Sequence, residues 1–104
     1  MKKKKTYIGY IVLTSFGNLS IPSSIQNLLY RNYTEKKSFN YKLPPSEFAF
    51  NECYMQLFDI VNNQRNIDGI LFLNFDQLPK DNNVRKKIYK KFLARKLEAH
   101  FILN

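Results

Sequence analysis

The chain is short of the residues on which common chemistries and cross-links depend. It carries one cysteine, Cys53, so no internal disulfide can form, and its apolar surroundings read as part of a helix in which a free thiol is a small, buried, inert hydrophobe. His100 is the single histidine, so a His/Cys zinc site would need carboxylates, and none falls at a recognisable ligand spacing. No metal and no cofactor are expected. Glycine is scarce as well: residues 14–20 hold only Gly17, with neither GxGxxG spacing nor a GK[ST] ending, which excludes the usual phosphate-cradling loops. Acid is in deficit, with eight Asp and Glu against seventeen Lys and Arg, a net charge of +9. A field of that sign attracts nucleic acid, an anionic membrane surface or a phosphorylated ligand. Lys, Asn, Ile, Phe and Tyr are abundant together, the usage of an AT-rich coding sequence, which accounts for part of the lysine excess.

Long hydrophobic runs are missing too. Lys2, Lys3, Lys4 and Lys5 followed by the apolar residues 7–13 imitate the start of a secretory signal peptide, but the run then meets Thr14, Ser15, Gly17, Asn18 and Ser20 without a small-x-small cleavage pattern. It is also too short to span a bilayer. The expectation is a cytoplasmic protein without a membrane span, its first strand flanked by lysines.

What is present is enough for one core. The 104 residues are 44% hydrophobic and 15% aromatic, which predicts a single folded domain over 1–104 with a basic, flexible segment at 1–5. Residues 7–13 (Tyr-Ile-Gly-Tyr-Ile-Val-Leu) read as a strand covered on both faces. Pro22 opens a helix to about Lys36 with Ile25, Leu28, Leu29 and Tyr33 inward. Phe39, Tyr41 and Leu43 alternate as a short strand stopped by Pro44 and Pro45. Ser46 and Glu47 read as the cap and first turn of a second helix, with Phe50, Tyr54, Leu57, Phe58 and Val61 as its apolar stripe. A third strand is predicted within 67–75, a third helix capped by Asp81 with Val84, Ile88, Phe92 and Leu97 inward, and a last strand at Phe101, Ile102 and Leu103. The order βαβαβαβ predicts an α/β fold: a four-stranded, mainly parallel sheet with helices on both faces, resolvase-like or flavodoxin-like.

In open parallel sheets ligands sit outside the carboxyl ends of the strands, where strand order reverses. That rule gathers Thr14, Ser15, Glu47, Asn74, Asp76 and Gln77 as a candidate pocket for a sugar or phosphate ester. Each also has a local reading, as a helix start, a turn or a strand end. The second candidate is the basic helix, where Lys80, Arg85, Lys86, Lys87, Lys90, Lys91, Arg95 and Lys96 hold eight of the seventeen positive charges. They are either a solvated face or a track for a nucleic-acid backbone, although no recognition motif or stacking aromatics accompany them.

The ordered pieces Ile21-Pro22, Gln26-Asn27-Leu28, Arg31-Asn32-Tyr33, Ser46-Glu47-Phe48, Tyr54-Met55-Gln56-Leu57, Asp68-Gly69-Ile70, Gln77-Leu78-Pro79 and Arg85-Lys86-Lys87-Ile88-Tyr89 resemble the small bacterial proteins called sporadic carbohydrate cluster proteins. The resemblance runs from Tyr7 to Leu103 and implies a role in surface-polysaccharide or nucleotide-sugar biosynthesis without specifying a reaction. The layout is similar, more distantly, to the catalytic domain of serine recombinases. There the family's first arginine falls on Val12, its serine on Thr14 or Ser15, and its Asp-Arg pair on Asp76-Gln77. Without the arginines nothing stabilises charge on a transferring phosphate, so the comparison implies a shared fold and lost recombination.

Three functions follow as expectations. The first is an accessory protein of surface-carbohydrate biosynthesis binding an anionic sugar or nucleotide-sugar at the strand ends. The second is a recombinase-like DNA-binding domain without chemistry. The third is a structural subunit of a carbohydrate enzyme, for which an open sheet edge or uncovered apolar face would favour a complex or a homodimer.

Overall fold

The computed structural model describes residues 4–16, 18–47 and 53–103. Within them the chain runs β1 (Thr6–Gly9), α1 (Ser23–Lys37), β2 (Asn40–Lys42), α2 (Met55–Asn63), β3 (Gly69–Phe72), a short 3-10 turn (Phe75–Gln77), α3 (Asn82–Arg95) and β4 (Glu98–Phe101). All strand pairs are parallel and the sheet order is β2-β1-β3-β4. The step from β1 to β2 runs opposite to the later steps, so right-handed crossovers put α1 on one face and α2 with α3 on the other, where those two helices pack together.

The apolar runs form the centre of the sheet. Tyr7, Ile8, Ile70, Leu71 and Phe72 are fully buried, closed in by Leu57, Ile60 and Val61 of α2 and Ile88 of α3. Gly9 is required where it stands, because a Cβ there would overlap the ring of Tyr30, which lies directly on β1.

The predicted element order holds while several boundaries move. β1 closes at Gly9, not at Leu13. Tyr10 still bonds Leu71 and Ile11 bridges Ser46, but the Val12 N–H and C=O are taken by the Gln26 amide, so a side chain ends the ladder. The buried face of α1 is Gln26, Tyr30 and Thr34, rotated from the predicted stripe and leaving Ile25 and Leu28 exposed. Ser46 bridges Ile11 and does not cap α2, which begins at Met55 with Glu47 lying before it. Cys53 precedes the helix and is only half-buried. β3 is shorter than 67–75 because residues 75–77 turn back. Asp81 caps α3 as predicted, its carboxylate accepting from the N–H groups of Asn83 and Val84. β4 begins at Glu98, ahead of the apolar triplet at 101–103. The predictions touching Lys2, Lys3, Gly17, Phe48 and Phe50 lie outside the described residues. No helix among the described residues is long and apolar enough to cross a membrane.

Candidate functional site

At the carboxyl edge of the sheet, strand order reverses between β1 and β3. Tyr10 stands at that junction, and its hydroxyl and carbonyl are both engaged in addition to the N–H on Leu71. Its hydroxyl donates to Glu47 Oε2 at 2.7 Å, and burial pushes the phenol far above its ordinary pKa. Its carbonyl accepts from the Tyr30 hydroxyl at 2.6 Å and from Gln77 Nε2 at 3.2 Å.

Glu47 is buried, and its carboxylate accepts from the Gln56 N–H at 3.0 Å and the Leu57 N–H at 3.3 Å, closing the start of α2. The Cys53 thiol donates to it weakly at 3.6 Å. A carboxylate thus meets the positive end of α2, as predicted, but from outside the helix. Gln77 is equally occupied, since its Oε1 accepts from the Leu73 N–H at 2.6 Å while its Nε2 reaches Tyr10. Gln26 clasps Val12 through both amide atoms and also donates to the Ile21 carbonyl at 2.7 Å. At the strand reversal the backbone groups of Tyr10, Val12 and Leu73 are therefore engaged by the protein's own amides.

The six predicted residues divide accordingly. Glu47 and Gln77 converge on Tyr10 as internal supports. Asn74 Oδ1 accepts from the Asp76 N–H at 3.0 Å in a local turn. Thr14 is half-buried, while Ser15 and the Asp76 side chain face solvent.

Sequence reasoning missed an open site at the same edge. Tyr54, Pro79, Lys80, Asp81 and Val84 line a cleft of about 320 Å³ between the starts of α2 and α3. Each had a sufficient local explanation, Tyr54 as core, Lys80 as one charge of many and Asp81 as a cap. Only the fold brings a tyrosine, a lysine and the capping aspartate of α3 to one cleft.

The basic helix also divides. Arg95 turns inward, Nη1 donating to the Ile60 and Val61 carbonyls at 3.1 and 2.8 Å and Nη2 to that of Gln64, which seals the carboxyl end of α2. The Arg85 guanidinium lies 5.5 Å from the Phe75 ring centre. Lys86, Lys87, Lys90 and Lys91 are exposed, and no ion pair engages them among the described residues.

A titratable cluster ties β4 to β1 and α1. Glu98 accepts from Lys5 Nζ at 2.8 Å, Tyr7 Oη at 3.0 Å and His100 Nε2 at 2.9 Å. With the imidazole neutral, Nδ1 accepts from the Tyr33 hydroxyl at 2.7 Å. The Lys5 and His100 hydrogen bonds, aided by that of Tyr7, hold the Glu98 carboxyl down at about 2. Burial raises the Tyr7 and Tyr33 phenols. Among the described residues no group of His, Cys, Asp and Glu is arranged to hold a metal ion.

No family model matches the chain, and no curated protein or solved structure matches it either.

Proposed function

We propose that the chain is an accessory protein of bacterial surface-carbohydrate biosynthesis that binds an anionic sugar at the carboxyl edge of its sheet. The observation that carries this reading is the cleft between Tyr54 and Lys80. An aromatic face supports the apolar side of a sugar ring, an ammonium pairs with phosphate, and the Asp81 carboxylate receives hydroxyls. Its volume, about 320 Å³, lies at the small end of ligand sites and suits one phosphorylated sugar; a nucleotide-sugar would extend over the neighbouring loop toward Asp76. The ordered sequence resemblance supplies the pathway, and Thr14 and Ser15 add hydroxyls at the same edge. The reading assigns no reaction to the chain.

The test is thermal melting of the purified chain with hexose phosphates and nucleotide-sugars, on wild type and Lys80→Gln. Ligand at about a hundred times its dissociation constant adds roughly 2.7 kcal/mol of folded-state stability, seen as several degrees. A shift lost in Lys80→Gln and kept in Lys87→Gln supports the cleft. An equal shift in both variants, or none with any sugar, refutes it.

The exposed set Lys86, Lys87, Lys90 and Lys91 favours a second reading, a recombinase-like DNA-binding domain without chemistry. It predicts duplex binding that weakens steeply with salt. Arg95, committed to α2, has no part in it.

A further inference from the structure

The sheet ends differently on its two sides. β2 is three residues long, carries Lys42, and is followed by Pro44 and Pro45, features that blunt an edge against pairing. β4, at the other edge, holds neither Lys nor Pro in Glu-Ala-His-Phe. The N–H groups of Glu98 and Ile102 bond the Asp68 and Phe72 carbonyls along β3. In a parallel ladder alternate residues face alternate sides, so the N–H and C=O of Ala99 and Phe101 point away from the sheet. The five-stranded doubly wound order 2-1-3-4-5 places a fifth strand beside β4.

An apolar groove of about 360 Å³ runs along this edge, lined by Phe75, Tyr89, Phe92, Leu93, Ala99 and Phe101 among others. Phe75, Tyr89 and Leu93, the last 80% exposed, all line this one groove, so the exposed apolar surface is a contiguous patch and not a single stray leucine. Cations flank the groove on α3: Arg85 lies over Phe75, while Lys86 and Lys90 stand one helical turn from Tyr89 and Leu93.

We propose that this edge docks an extended acidic segment of another protein as a fifth strand. Its backbone pairs with Ala99 and Phe101, alternate apolar side chains enter the groove, and flanking carboxylates meet Arg85, Lys86 and Lys90. Charge selects this occupant over a second copy. Pairing β4 with β4 would set two strongly basic helices side by side, within reach of their mutual repulsion at physiological salt. The site is separate from the Tyr54–Lys80 cleft, and its test is independent of sugar binding.

The test is fluorescence anisotropy of a short labelled peptide alternating Val with Glu, titrated with the full chain. The controls are the same residues in two blocks and a peptide alternating Val with Lys. The expected result is binding of the alternating acidic peptide alone, weakened at least tenfold by Leu93→Glu and by Ala99→Pro. Ala99→Pro removes an outward N–H and leaves the β3–β4 bonds in place; circular dichroism and melting confirm that each variant is folded. Equal binding of the blocked acidic peptide would overturn strand addition in favour of general charge attraction. Absence of peptide binding, with a wild-type dimer in sedimentation that Leu93→Glu dissociates, would overturn it in favour of self-association. Absence of both, with or without binding to anionic vesicles, would also overturn it.

Discussion

The Tyr10 hydroxyl donates to Glu47 Oε2 at 2.7 Å and so fastens the central strand to the start of α2 through one buried carboxylate. Removing it leaves the phenol and two backbone N–H groups without their acceptor. Glu47→Ala is expected to lower unfolding free energy by about 2–4 kcal/mol. Tyr10→Phe, which loses one bond and keeps the ring, should cost about 1–2 kcal/mol. Denaturant midpoints check both, and a loss below 0.5 kcal/mol for Glu47→Ala would contradict the capping role.

Glu98 sets an acid limit. Its carboxyl is held at about 2 instead of its ordinary 4.5, so the native state resists protonation more than the unfolded chain. That contribution is fully present above about 4.5 and is lost as pH falls through about 2. Urea midpoints of wild type should therefore fall more steeply than those of Glu98→Gln across this window. Parallel curves would remove Glu98 as a source of acid lability.

Arg95 separates structure from nucleic-acid binding. Arg95→Lys cannot reproduce the planar fork on the Ile60, Val61 and Gln64 carbonyls at the end of α2 and should cost about 1–2 kcal/mol of stability. Any DNA affinity should change little. The reverse pattern in melting and gel-shift assays would return Arg95 to the basic face.

Ser38 closes α1 with φ 59°, a left-handed conformation that a side chain disfavours. Ser38→Gly is expected to raise stability by about 1 kcal/mol, measured as a higher melting temperature. A decrease would show that the hydroxyl does more than occupy space.

The central strands were legible because Ile70, Leu71, Phe72 and Leu73 have no exposed face to disguise. Asp81 was legible because a cap is a local device. The inward face of α1 was not, since Gln26 and Thr34 belong to types usually found outside, and nothing in their spacing announces burial. β4 was misplaced for the matching reason: an edge strand with one polar face carries Glu98 and His100, which hydropathy assigns to a loop. The topology brought Glu47 and Gln77 to the predicted edge, where tertiary bonds to Tyr10 consume them, and such bonds leave no sequence pattern.

Gln26 and Gln77 give the fold a further property. One comes from α1 and the other from the turn after β3, yet both terminate on the backbone of residues 10–12. With either segment undocked, the backbone groups of residues 10–12 that its amide satisfies lose that partner, and each that stays out of water costs about 1–3 kcal/mol. Such half-assembled forms are therefore sparsely populated. The amides work as a coincidence check on assembly, admitting the three segments together and making the junction open and close in an all-or-none manner.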